Sequence, residues 1–136
     1  MNRFLGIALI VFGITLAIVP GLTDCASHGA YMTVMGKQVP MVCHWSARSE
    51  LAVGIPLAFV GAMMSFTRRK SGFLTLSILG VVLGGLAIGL PAGIIGTCPG
   101  PTMTCNTLMK PIISGIGSLA IVGGLVGFVL MRKASP

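Results

Sequence analysis

The chain has 136 residues, of which 54% are hydrophobic and 8% charged, with a mean hydropathy of +1.01. Soluble domains carry roughly 25% charged residues, so lipid is the solvent for most of this one. The formal charge of +7 would in a soluble protein point to nucleic acid. Here the cations cluster at the ends of apolar runs, where they meet anionic headgroups, and the reading is of a partner that is lipid and not nucleic acid. The longest stretch between apolar runs, about Gly21 to Ser46, is too short to build a core of its own. Residues 1–136 therefore read as a single membrane domain.

A helix crosses a bilayer with about 20 apolar residues, within a range of roughly 17 to 25. Four segments meet this length: about Phe4 to Pro20, Ala47 to Phe66, Phe73 to Pro91, and Pro111 to Met131. Arg3 precedes the first, Arg68, Arg69 and Lys70 fill the turn between the second and third, and Arg132 and Lys133 follow the fourth. Lys37, Arg48 and Lys110 lie on the other side. The positive-inside rule places the larger group, and with it both termini, in the cytoplasm. The expected location is the inner (cytoplasmic) membrane, with the loops that carry the cysteines outside. The first span also has the shape of a signal peptide. Asp24 directly before Cys25 does not suit a lipoprotein-type cleavage site, and the first span has a counterpart later in the chain, so a retained span is expected.

That counterpart belongs to an internal repeat. At an offset of 62 residues, Leu57-Ala58-Phe59-Val60-Gly61-Ala62 faces Leu119-Ala120-Ile121-Val122-Gly123-Gly124, Phe66 faces Phe128, Cys43 faces Cys105 and Arg48 faces Lys110. At 71 residues, Gly13 faces Gly84 and Pro20 faces Pro91. The expected fold is an all-α four-helix transmembrane bundle built from two parallel two-helix hairpin repeats, about 1–70 and 71–136, with disulfide-stapled outer loops. Hairpins of equal orientation are related by a pseudo-twofold axis along the membrane normal, unlike the inverted repeats of many transporters. Small residues such as Gly54, Ala58 and Ala62, or Ala120 and Gly124, let helix backbones approach closely. No Asp, Lys, Arg or His lies in the middle of a span. That argues against a proton-coupled transporter working alone, because proton relays place ionisable groups at depth.

The first outer loop, Gly21 to Ser46, holds Cys25, His28, Tyr31, Met32, Met35, Met41, Cys43, His44 and Trp45; the second, Ala92 to Lys110, holds Cys98, Met103, Cys105 and Met109. Cysteines outside the cytoplasm tend to be oxidised, and four of them allow three connectivities. The repeat favours Cys25 with Cys43 and Cys98 with Cys105, one bond per hairpin. A bond between loops, such as Cys43 with Cys98, is the alternative. Thiol oxidoreductase chemistry is a minor reading, because the Cys-x-x-Cys spacing of a low-pKa redox pair is missing. A metal reading draws on Cys25, His28, Cys43 and His44 for zinc, and on the thioethers of Met32, Met35, Met41 and Met103 for cuprous copper. The plainer reading makes Met, Tyr and Trp an apolar cap on the bundle, with Trp45 as an interfacial anchor. No cofactor is expected.

Ser46 reads as the cap of the second span and Glu50 as an acid in its first turn or so. His44, Trp45, Arg48 and Glu50 form the densest polar and aromatic cluster of the chain, against Asn106, Thr107, Leu108 and Lys110 in the second repeat. They are the candidate contacts for a partner or ligand. The segment Cys43-His44-Trp45-Ser46-Ala47-Arg48-Ser49-Glu50, with Cys98-Pro99-Gly100 and Cys105, resembles an uncharacterised bacterial family of small four-helix membrane proteins, a domain of unknown function, over nearly the whole chain. Members of that family are often encoded beside ABC-transporter genes of the macrolide-exporter and lipoprotein-release type. The resemblance implies an accessory role and carries over no catalytic residue. The expected function is thus a non-enzymatic membrane subunit that joins a larger complex, such as an ABC-type exporter, or self-associates. The alternative is a metal-handling or thiol-redox protein acting through the outer loops.

Overall fold

A computed structural model of the protein describes residues 2–29 and 31–134. Its elements run in the order α1 (Asn2–Thr23), β1 (Tyr31–Val34), β2 (Lys37–Pro40), α2 (Val42–Phe66), α3 (Lys70–Gly89) and α4 (Lys110–Lys133). A π-helical turn, Leu90–Ile94, extends α3, and another, Cys105–Met109, leads into α4. Arg3–Thr23, Val42–Phe66, Lys70–Ile94 and Cys105–Lys133 are each long and apolar enough to cross a membrane. Four such helices fit a multi-pass membrane protein.

Each helix buries a narrow stripe and leaves the rest apolar. On α1, Leu9 and Leu16 face the core, whereas Phe4, Ile7, Val11, Ile14 and Ile18 recur at helical spacing on the open face. In water such a stripe would be a liability; against acyl chains it is at home. The interior is completed by Leu57, Val60 and Met64 from α2, Phe73 and Ala87 from α3, and Ile113 and Ala120 from α4.

The two hairpins pack by the same device. A Cβ placed on Gly13 would lie 2.7 Å from the Gly54 carbonyl oxygen and press on the Ala58 backbone. A Cβ on Gly84 would lie 3.0 Å from the Gly117 carbonyl oxygen and 3.3 Å from the Ala120 Cβ. Gly13 and Gly84, like Ala58 and Ala120, are the positions that the internal repeat sets opposite one another, so the equivalent residues make equivalent close approaches. At one end of the bundle the short α2–α3 turn meets the ends of the other helices. There Lys70 Nζ donates to the Ala134 carbonyl at 3.1 Å, and Arg3 lies beside Phe66, Thr67 and Arg68.

Three local features differ from the sequence-based expectation. First, α2 begins at Val42 with Met41 as its cap, five residues before the expected start. Its 25 residues span about 38 Å at 1.5 Å each, more than the ~30 Å hydrocarbon layer. Ser46 is therefore no cap, and Glu50 lies two turns inside the helix. Second, the first loop contains an antiparallel β-hairpin, with Tyr31 opposite Pro40 and Val34 opposite Lys37. Met35 and Gly36 form its two-residue turn, at φ 49° and 78°, the pattern of positive φ at both positions that suits the twist of a hairpin. Third, the π-helical turns sit beside Pro91 and Pro111. A proline cannot donate to the carbonyl four residues back, and next to Pro91 the bonding shifts to Ile95 N–H on the Leu90 carbonyl at 3.1 Å.

Candidate functional site

Cys25 lies in the turn after α1, Cys43 is the second residue of α2, Cys98 follows the π-helical extension of α3, and Cys105 opens the helical run into α4. Each helix thus delivers one cysteine to the same end of the bundle. All four sulfur atoms lie within 4.8 Å of one another, and all four residues are buried. Cys43 Sγ is in disulfide contact with both Cys98 and Cys105. Cys25 Sγ lies 3.1 Å from Cys105 Sγ and 3.7 Å from Cys98 Sγ. One sulfur forms one disulfide, so Cys43–Cys98 and Cys43–Cys105 are alternative bonds of a single centre.

The close contacts run between the hairpins and not within them, contrary to the preferred pairing of Cys25 with Cys43 and Cys98 with Cys105. Repeat symmetry explains this. Cys43 and Cys105 are equivalent positions, and equivalent positions close to a twofold axis meet across it. Separate staples at the tips of two loops would require the cysteines to stand away from that axis.

Hydrogen bonds fix the segments that carry the sulfurs. Asp24 Oδ1 accepts from the Ser27 backbone N–H at 2.9 Å, closing the turn around Cys25. His44 Nδ1–H donates to Asp24 Oδ2, also at 2.9 Å, which ties that turn to the residue after Cys43. Burial opposes the charge on Asp24, but the hydrogen bonds from Ser27 and His44 outweigh it and hold the carboxyl below its ordinary value. Burial and the Asp24 charge together push the Cys25 thiol up. On the other hairpin, Asn106 Nδ2 donates to the Cys98 and Gly100 carbonyls at 2.8 and 2.9 Å, and Thr97 Oγ1 donates to Asn106 Oδ1 at 2.7 Å. Asn106 thereby clamps the Cys98-Pro99-Gly100 turn.

The candidate partner contacts His44, Trp45, Arg48 and Glu50 do not share a face. His44 and Arg48 line a shallow groove with Gly21, Asp24, Ala47 and Leu51. Trp45 stands exposed, edge-on to His44 with ring centres 6.0 Å apart. Glu50 turns inward, wholly buried, and neither carboxylate oxygen has a hydrogen-bond partner; buried Ser46 Oγ has none either. The mixed metal set is not assembled. Cys25 and Cys43 meet, but His28, Met32 and Met35 are exposed, Met41 packs against the core, and His44 is engaged by Asp24. Among the described residues, the metal-ligating side chains that converge are the four cysteines.

Sequence reasoning missed Asp24 and Asn106 as organisers of the centre. An acid directly before one cysteine and an amide directly after another were the available signals. It also ranked Cys25–Cys43 and Cys98–Cys105 above the cross-loop alternative, Cys43 with Cys98, which the structure brings into contact, because loop spacing reports only local closure. Searches of curated proteins and of solved structures found no match to the chain. A family model described as a domain of unknown function, DUF4418, matches residues 4–130. With that match spanning nearly the whole sequence, the chain belongs to the DUF4418 family.

Proposed function

We propose that the protein is a membrane thiol–disulfide centre, which exchanges disulfides with an extracytoplasmic dithiol protein at the cysteine end of the bundle. The observation that carries this reading is the convergence of four buried sulfurs from both hairpins within 4.8 Å. A staple needs two sulfurs; a third and fourth within reach let one bond be traded for another. The thiolate of an incoming dithiol attacks the Cys98 sulfur of a Cys43–Cys98 disulfide and forms a mixed disulfide, with Cys43 leaving as thiolate. The second thiol of the partner then displaces Cys98. The partner ends oxidised and Cys43 and Cys98 end as thiols, two electrons and two protons having passed between them. Where Cys25 and Cys105, 3.1 Å apart, are themselves joined, the freed Cys43 thiolate attacks Cys105 and Cys25 leaves as thiolate, so that one bond is traded for another with no net oxidation. Leaving as thiolate is favoured at Cys43 by its position in the first turn of α2. The orientation follows the basic residues at the opposite end, with the termini in the cytoplasm and the cysteines outside.

Intact mass under non-reducing conditions and dithiol titration test the reading. The protein as isolated is expected to lack hydrogens at the cysteines relative to its reduced form and to recover them reversibly with dithiothreitol while folded. Cysteines that stay oxidised in dithiothreitol until the bundle unfolds would make the bonds mere staples and overturn it.

A second reading, an accessory subunit of a larger membrane complex, is favoured by the β-hairpin. Tyr31, Met32, Val34 and Met35 are exposed there, outside the four apolar helices. Copurification of another membrane protein from native membranes, lost when residues 31–40 are replaced by a Gly-Ser turn, supports that reading. A chain that runs alone from native membranes counts against it.

A further inference from the structure

We infer that the reduced centre binds one zinc-class ion, a borderline-soft divalent cation, held by Cys25, Cys43, Cys98 and Cys105 together. In a tetrahedral tetrathiolate with bonds of ~2.3 Å the sulfurs stand about 3.8 Å apart. Here Cys25 lies 3.7 Å from Cys98 and 3.1 Å from Cys105, and no pair in the cluster exceeds 4.8 Å. With the disulfide contacts of Cys43 broken, small withdrawals of the Cys43 and Cys105 side chains bring all four sulfurs around a common centre. The four residues come from four segments and are buried, so the site is closed, with no position left for water; that is the form of a holding site and not of a hydrolytic one. An all-sulfur set rejects magnesium and calcium, which require oxygen.

Two further features point to a charged occupant. Four thiolates around a dication leave a net negative charge in a buried place, and two helices direct their positive ends there. Cys43 is the second residue of α2, and Cys105 is the first of the helical run Cys105–Lys133. Independently, Ser46 Oγ is buried with no partner. It sits three residues after Cys43 on the same face of α2; turned toward the Cys43 thiolate of the reduced centre, its hydroxyl would donate a supporting hydrogen bond.

Ion and disulfides exclude one another. Two partner disulfides and four protons convert the zinc tetrathiolate into two protein disulfides, four partner thiols and a free zinc ion, so oxidation empties the site. This release rests on the exchange reading; the binding of the ion rests on the sulfur geometry alone.

The test uses the whole chain in detergent micelles, reduced with a phosphine, freed of metal and titrated with cobalt(II), then zinc(II). The expected result is one cobalt per chain with the visible bands of a tetrahedral tetrathiolate, displaced by one zinc. Cys43→Ser and Cys105→Ser should each weaken zinc by about tenfold or more, and Ser46→Ala by about tenfold with unchanged cobalt bands; His28→Ala and Met35→Ala should change neither. Glutathione disulfide should then release the zinc to a chromophoric chelator. Absence of the cobalt bands from wild-type protein of native helicity overturns the inference, and so does binding that survives the Cys→Ser changes. Reduced protein that exchanges with glutathione but takes up no cobalt overturns the ion site alone. Protein that binds cobalt but does not exchange overturns the exchange reading and the release, and upholds the ion site.

Discussion

Glu50 holds two carboxylate oxygens that meet no donor, on the same inward face of α2 as Cys43. An unpaired buried polar group costs about 1–3 kcal/mol. Glu50→Leu should therefore unfold at a higher temperature in micelles than Glu50→Gln, which leaves its amide equally unpaired. A Leu variant less stable than both the Gln variant and the wild type would show that the carboxyl has a partner. Asp24 behaves differently, because its carboxyl is held low by Ser27 and His44. A depressed folded value means that its contribution is complete above the ordinary 3.8 and is lost as pH falls through the folded value. Acid unfolding below that point should be shallower in Asp24→Asn, which should also be less stable at neutral pH, as followed by circular dichroism. At this scale the sequence disclosed which residues carry chemistry but not how they meet. Ser46 and Glu50 looked like a cap and a first-turn acid because the apolar run starts near Ala47. The helix itself starts at Val42, where neither a capping side chain nor hydropathy marks it.

Among the elements, the glycine seams carry the packing. Gly13→Leu and Gly84→Leu each force a side chain into a facing backbone, and each should lower stability by about 1–3 kcal/mol or more. Gly85→Leu and Gly123→Leu point into open space and should stay within about 0.5 kcal/mol of wild type. Unfolding in micelles compares the four directly, and equal losses at all four would refute the seam. The pairs Gly13 with Gly84 and Ala58 with Ala120 were readable, because an internal repeat compares a chain with itself. The β-hairpin was not. Its turn residues, Met35 and Gly36, are not the Asn-Gly or Asp-Gly that usually announce a two-residue turn, and its methionines suggested a ligand loop. Met35→Asn, better suited to a positive φ, should leave the bundle unchanged and increase amide-exchange protection across Tyr31–Pro40.

Across the whole molecule, Arg3, Arg68, Arg69, Lys70, Arg132 and Lys133 belong to one end and the four cysteines to the other. In a Cys-free chain on intact cells, a single cysteine placed at the fully exposed Met35 should therefore react with a membrane-impermeant maleimide, and one placed at Ser71 only after permeabilisation. Labelling with the opposite polarity would invert the molecule. Four spans and two ends were legible in hydropathy and charge. The meeting of the loops was not, since it depends on how one hairpin leans on the other.

The sulfur contacts also set an order of events during synthesis. Cys25 and Cys43 are synthesised first, yet the sulfurs they touch lie far downstream: Cys43 is separated from Cys98 by 55 residues and from Cys105 by 62, and Cys25 from the same two by 73 and 80. Until the second hairpin is threaded into the bilayer, the early pair has only itself for company. Bonding between Cys25 and Cys43 at that point would be a premature marriage that later has to be dissolved. A nascent chain arrested after Lys70 should accumulate this bond, and the finished protein should need a reshuffling catalyst, or a brief reducing interval, to reach the arrangement in which both hairpins share one centre.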